Sequence, residues 1–187
     1  MNLIIFGPPG AGKGTQAKYL VKKLKCFQIS TGDILRDEIK NDTEIGKKII
    51  NNMDNGRFVE DEIVNKLLEK IIFDKNKMNK LIFDGYPRTV NQAKNLENLL
   101  NKSNQKIHYI FFLNVNKDSI IKRIEKRKIL EKRSDDDADT ILKRYDTYMQ
   151  ITKPVLDFYS SKNNFYEIDG SAEIEEISGK IDQILNV

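Results

Sequence analysis

Apolar residues along this chain come in short unbroken blocks, separated by longer stretches in which apolar and polar positions mix. Residues 3–6, Leu-Ile-Ile-Phe, form the first block, and others follow at 26–29, 81–84, 107–115 and 165–168. Blocks this short, rich in β-branched and aromatic residues and closed by glycine or polar residues, predict strands buried on both faces. The mixed stretches predict helices over 16–21, 34–40, 43–55, 61–73, 89–100, 119–128, 138–161 and 173–185. The clearest is 61–73, where Ile63, Val64, Leu67, Leu68, Ile71 and Ile72 fall on one face. Ser30-Thr31-Gly32-Asp33 supplies a helix start and Asn55-Gly56 a helix stop. Pro154 stands inside the 138–161 helix and predicts a kink or break there. Residues 131–137 read as a charged loop. Strands alternating with helices predict an α/β fold of three layers, a parallel five-stranded sheet with helices on both faces, in one domain over residues 1–187.

Composition narrows the function classes. With 39% hydrophobic and 32% charged residues the chain reads as a globular protein able to form one core. No apolar run approaches the ~18 residues of a membrane helix. The first residues enter a strand without a basic leader, so a cytoplasmic location and no membrane partner are expected. Cys26 is the only cysteine and His108 the only histidine. A disulfide within the chain and a Cys/His zinc site are both excluded. Cys26 reads as a core thiol and His108 as a strand residue. No Ser-His-Asp or Cys-His set can be assembled around covalent catalysis. A net charge of +4 is small for a nucleic-acid partner, and none is expected.

The informative chemistry follows the first strand. Gly7-Pro8-Pro9-Gly10-Ala11-Gly12-Lys13-Gly14-Thr15 places four glycines, a lysine and a threonine ahead of a helix. Backbone N–H groups and a helix N-terminus then converge on one point, a site for an anion. The spacing Gly7-x4-Gly12-Lys13 fits the P-loop pattern, whose lysine reaches the β- and γ-phosphates. An ordinary glycine-rich turn would need neither the lysine nor the preceding apolar strand. One departure stands out: Gly14 occupies the place of the pattern's Ser or Thr, and Thr15 follows it.

Ligands of open α/β sheets bind beyond the carboxyl ends of the strands, which gathers 7–15, 30–36, 84–88, the segment after Val115 and 169–170 on one rim. Asp84 closes an apolar strand as a magnesium-holding acid does, or else caps the turn at Gly85. Tyr86-Pro87 reads as a rigid turn, trans or cis, that points Arg88 inward. Arginine is scarce, at only seven positions (36, 57, 88, 123, 127, 133 and 144), while lysine is common. Four of the seven fall within about twenty-two residues, with Arg123 and Arg127 on one helix face. In a chain that prefers lysine, such a cluster suits a polyanionic transition state better than a solvated surface. A phosphate acceptor would need no general base, since a phosphomonoester is largely dianionic near neutral pH.

Taken with these residues, the chain resembles the adenylate kinase family, within the nucleoside-monophosphate kinases, over nearly its whole length. Its phosphate loop is similar to the family's own, glycine after the lysine included. Ser30-Thr31-Gly32-Asp33-Ile34-Leu35-Arg36, Asp84-Gly85-Tyr86-Pro87-Arg88-Thr89 and Arg133-Ser134-Asp135-Asp136 are similar to its other signatures. The resemblance implies Mg²⁺-dependent transfer of the ATP γ-phosphoryl group to AMP, giving two ADP. It implies ATP binding by Gly10, Ala11, Gly12, Lys13, Gly14 and Thr15, with Gly170 to Ala172 along the adenine through their backbone. Arg123 and Arg127 would hold ATP phosphates, and Arg133 and Arg144 would bridge both nucleotides. Contacts to AMP would come from Thr31, Arg36, Arg57, Phe58, Val59, Gly85, Tyr86, Pro87, Arg88 and Gln92. Magnesium would be held by ATP phosphates and waters, with Thr15 and Asp84 nearby. Residues of about 30–59 would form a mobile AMP-binding insertion and about 127–133 a short lid, without the zinc of some long-lid members. Their closure would exclude water. A monomer is expected.

Two other readings stay open at this point. The short lid is shared with UMP/CMP kinases, which usually carry Ala and Asn where this chain has Thr31 and Gln92. A hydroxyl and an amide suit the mixed donor and acceptor edge of adenine, which favours AMP. A nucleotide-dependent switch is the reading from another class, but Asn116-Lys117-Asp118 lacks the spacer of a guanine-reading motif.

Overall fold

The structure, a computed structural model, describes residues 1–131 and 138–187, with the side chains of 126–131, 138, 139 and 141 left aside. Five parallel strands form one sheet: β1 (Asn2–Phe6), β2 (Phe27–Ser30), β3 (Leu81–Asp84), β4 (Ile107–Asn114) and β5 (Phe165–Asp169). Their order across the sheet is β2-β3-β1-β4-β5. The continuous apolar block of β1 is explained by its central place. Ile4 and Phe6 enter one core with Phe83 and Ile110, while Leu3 and Ile5 enter the other with Ile82 and Phe111. A two-residue side-chain period with both faces covered makes every position of the 3–6 block a core position.

Helices α1 (Lys13–Leu24), α6 (Lys117–Glu131) and α9 (Ile174–Leu185) contribute to the Leu3 side of the sheet. The Ile4 side takes α2 (Thr31–Lys40), α3 (Glu44–Asp54), α4 (Asp61–Ile72), α5 (Val90–Lys102) and α8 (Lys153–Ser160). Helix α7 (Ala138–Thr147) leads into a π-helical turn, Tyr148–Thr152, before α8. The predicted break at Pro154 takes this form. Proline has no N–H to return to the carbonyl four residues back, and just ahead of it the Lys153 N–H reaches Tyr148 O, five residues back. No helix of the described residues is long and apolar enough to cross a membrane.

Several expected boundaries move: α1 runs Lys13–Leu24 where 16–21 was expected, and α6 runs Lys117–Glu131 where 119–128 was expected, taking in the first residue of the expected loop. The second helix begins at Thr31 rather than at 34, because the Ser30 hydroxyl accepts the Asp33 N–H at 3.3 Å and caps it. The first strand begins at Asn2, whose fully buried amide donates to Gln105 Oε1 and Lys106 O and accepts from the Leu81 N–H. Cys26 is buried and His108 lies in β4, as read from the sequence.

Candidate active site

The strand register places Ser30 beside Asp84, and Ile5 beside Asp84 from the other side, so three carboxyl ends share one rim. The phosphate loop leaves β1 there. Gly10 (φ 81°) and Gly12 (φ 89°) hold left-handed backbone, and Gly12 caps α1. A side chain at Gly10 would also meet Ile124 of α6 at 2.8 Å, so the loop rests directly on that helix. Lys13 folds back over the loop, its Nζ donating to the Gly7 and Pro8 carbonyls at 2.9 Å each. The Gly14 departure has a local reading: a Cβ there would stand 3.5 Å from Asp84 Oδ2, so the loop backbone passes close to that carboxylate.

Asp84 is 8% exposed and accepts from Gln28 Nε2 at 2.9 Å. Burial raises its pKa, while Lys13, the Gln28 bond and Arg88 pull it down. From β3 the chain turns through Gly85 and a cis Tyr86–Pro87 bond. Arg88 comes back over that turn, with Nε donating to Gly85 O at 2.7 Å and Nη2 reaching Thr31 Oγ1 at 3.4 Å. The Thr31 hydroxyl donates to the same Gly85 carbonyl at 2.7 Å. The Arg88 guanidinium lies over the Phe58 ring, 5.3 Å from its centroid.

One cavity of about 670 Å³ runs across this rim. Its walls include Gly10 to Thr15, Asp84, Gly85, Pro87 and Arg88 from the two turns. Arg36, Arg57 and Phe58 line it from the 31–58 segment, Arg123 and Arg144 from α6 and α7, and Ala172 from the loop after β5. Arg36 is also paired with Asp33. Gly56 (φ 66°) brings the 31–58 segment against α7, since a Cβ there would meet Arg144 Cγ at 3.0 Å.

Several expected residues stand off the cavity wall. The Tyr86 side chain is buried in the core, its hydroxyl donating to Asn65 Oδ1 at 2.8 Å, and desolvation pushes its pKa up to about 12. Val59 is buried in the same core. Thr31 and Gln92 lie behind the wall, 4% and 3% exposed. Gly170 is likewise buried, its carbonyl accepting from Arg123. Arg123 is placed differently from the expectation. Its guanidinium donates to the carbonyls of Gly170, Ser171 and Ala172, at 2.6, 3.3 and 3.3 Å, and so stands at the loop assigned to the ATP base. Arg133 and the side chain of Arg127 lie outside the described residues, as does most of the expected 127–133 lid.

Sequence reasoning passed over Gln28, Asp61, Tyr148 and Thr152. Gln28 had a visible signal, a polar residue alternating with Ile29 in a buried strand. Asp61 joins the start of α4 to the start of α5 and offered none. Tyr148 and Thr152 line the cavity from the π-helical turn, and their buried hydroxyls have no partner among the described residues.

Comparison with known proteins agrees with this geometry. A family model described as Adenylate kinase matches residues 5–164. A protein of Pelagibacter ubique (strain HTCC1062) named adenylate kinase is 49% identical over 213 aligned positions, covering 100% of each chain. Proteins of the same name from Caulobacter sp. (strain K31) and Nocardioides sp. (strain ATCC BAA-499 / JS614) are 42% and 38% identical, covering 100% of this chain and 99% and 98% of theirs. A phosphate loop, an arginine-lined cavity and full-length likeness converge: the chain belongs to the adenylate kinase family.

Proposed function

We propose that this enzyme transfers the γ-phosphoryl group of Mg·ATP to AMP, reversibly, giving two ADP, with the residues above in distinct roles. The observation that supports this most is the single cavity of about 670 Å³, which has the phosphate loop on one wall and Arg36, Arg57 and Arg88 on another. A donor phosphate chain at the loop and an acceptor phosphate at the arginines would face each other within one enclosure, which is what in-line transfer requires.

The loop amides of Gly10 to Thr15 take the ATP phosphates, and Lys13 turns from the Gly7 and Pro8 carbonyls to them. Arg123 holds the 170–172 loop in the shape that lines the ATP base. Arg36, Arg57 and Arg88 bind the AMP phosphate, with Thr31 steadying Arg88 through the shared Gly85 carbonyl. Arg144, with Arg127 and Arg133, neutralises charge on the transferring group. The acceptor oxygen of AMP is already ionised, so no side chain removes a proton. Gln92, with Thr31, sets the preference for adenine.

The donor set suits magnesium. The Asp84 carboxylate and the Thr15 hydroxyl open on the same cavity as the loop, and hard oxygen donors of this kind match Mg²⁺ riding with phosphates and waters. Bound there, the ion would supply charge neutralisation on the β- and γ-oxygens. Residues of about 30–59 act as the mobile AMP-binding insertion, carried by α2 and α3, and about 127–133 as a short lid. Alignment with the Pelagibacter protein spans 213 positions against 187 with the Nocardioides protein, in keeping with a shorter form. The enzyme works as a cytoplasmic monomer on free nucleotides, without nucleic acid or membrane.

A ³¹P NMR time course with Mg·ATP and AMP, UMP, CMP or GMP supplied separately tests this reading. ADP appearing mainly with AMP, with little free phosphate, is expected. Transfer mainly to UMP or CMP would overturn the base assignment. Free phosphate with every acceptor would overturn the closure argument.

A further inference from the structure

We propose that Asp61 is a positioning residue that sets base specificity, by fixing which way round the Gln92 amide meets an incoming nucleobase. The inference rests on Gln92 reading the base, as proposed above, and adds the group that orients it.

The arrangement is built from two helix starts. Thr89 caps α5, its hydroxyl accepting the Gln92 N–H at 3.0 Å. That hydroxyl donates to Asp61 Oδ2 at 2.7 Å, and Gln92 Nε2 donates to Asp61 Oδ1 at 2.7 Å. Each carboxylate oxygen therefore holds one of the two residues. On the other side of the amide, Gln92 Oε1 accepts the backbone N–H of Arg88 at 2.7 Å.

These partners leave the amide one orientation. A backbone N–H can only donate, and an ionised carboxylate can only accept. Turning the amide over would set Nε2 against the Arg88 N–H and Oε1 against the carboxylate. Two hydrogen bonds would be lost, one of them charge-assisted. Gln92 is 3% exposed, so water cannot replace them. Beyond these bonds the amide has one further N–H and one further Oε1 lone pair, in a set order, for a base that reaches behind the cavity wall. Arg88 and Phe58 line the cavity, with the guanidinium over the ring. A monophosphate that draws Arg88 to itself leaves that ring face to the base, next to the turn whose N–H the amide holds.

The order of donor and acceptor sorts the bases. Adenine and cytosine present a ring-nitrogen acceptor beside an amino donor. Guanine and uracil present a ring N–H donor beside a carbonyl acceptor. An amide that cannot turn over serves the first pair and opposes the second. With the carboxylate replaced, turning over costs one hydrogen bond instead of two, and the second pair is opposed less.

The test is kcat and KM with AMP, CMP, GMP and UMP for the wild type, Asp61→Asn, Asp61→Glu and Gln92→Leu, with melting temperatures alongside. Asn at 61 presents a donor as well as an acceptor, so a turned amide would lose only the Arg88 N–H bond instead of two bonds, one of them charge-assisted. In Asp61→Asn, kcat/KM for GMP and UMP should rise about tenfold relative to AMP, within the range that a bidentate pair discriminates. The CMP-to-AMP ratio should move far less, and the loss with AMP should fall on KM more than on kcat. Asp61→Glu, which stays acceptor-only, should keep the wild-type order of bases. A uniform loss with all four nucleotides in Asp61→Asn, leaving the ratios between them unchanged, would overturn the proposal. A Gln92→Leu variant with wild-type base preference would instead overturn the reading of Gln92, and the inference with it.

Discussion

Asp84 carries a charge that the fold itself disfavours. Burial raises its pKa above the ordinary 3.8, so the native state keeps this proton over a pH range where the unfolded chain has released it. Stability from this group is therefore greatest below the unfolded value and falls as pH rises through the folded one. Near neutral pH the ionised carboxylate weighs against folding. Asp84→Asn, melted without nucleotide or metal ion, should be more stable than the wild type near neutral pH and equal to it below about pH 4. Its turnover should fall about 100-fold or more, since this is the carboxylate proposed above to stand by magnesium. A lower melting temperature near neutral pH would show that Lys13 and Arg88 outweigh the burial. Arg88 makes the opposite case, holding function more than fold. Its planar fork spans Gly85 O and Thr31 Oγ1, which a point-charge ammonium cannot reproduce. Arg88→Lys should lower kcat/KM about 100-fold while Tm moves by no more than about 2–4 °C. Unchanged turnover would remove Arg88 from the site.

Between elements, α2 and α3 approach each other closely at Gly46. A Cβ on Gly46 would lie 2.2 Å from Glu38 O and 2.6 Å from Glu38 C, contacts with backbone that no rotamer can relieve. The helices can meet this closely only because position 46 has no side chain. Gly46→Ala should cost roughly 1–3 kcal/mol as the pair is forced apart. The displacement would shift Arg36 on α2, so KM for AMP should rise more than KM for ATP. Equal effects on both nucleotides, or none, would deny α2 and α3 their part in the acceptor site. Nothing in the sequence distinguished Gly46 from any other helical glycine. Its constraint comes from a neighbouring helix, and one chain's periodicity carries no such information. The helix starts were more legible, because Ser30, Thr43 and Thr89 cap with their own side chains.

For the molecule as a whole, the shared cavity makes folding and substrate binding one equilibrium. Nucleotides bind the native rim and not the unfolded chain, since the rim exists only when β1, β2 and β3 are in register. A nucleotide at about one hundred times its Kd adds about 2.7 kcal/mol. Mg·ATP or AMP alone should then raise Tm by roughly 5–10 °C, and a compound spanning both positions by more than either. A spanning compound that raised Tm no further than the better of the two alone would point to two separate sites and overturn the single enclosure.

The chain's own residues determined the strands, most helices and the phosphate loop, because these follow from local causes: apolar runs, caps, and glycines that take left-handed backbone. The order β2-β3-β1-β4-β5 was not among them, since it depends on which blocks meet across many residues. Only the folded chain decided where distant polar groups stand. It sent the Tyr86 side chain into the core, set Arg123 against the carbonyls of 170–172, and tied Gln92 to Asp61 across 31 positions of sequence. Local structure is fixed by covalent neighbours, whereas a buried polar group is satisfied by whichever partner packing brings within hydrogen-bond reach.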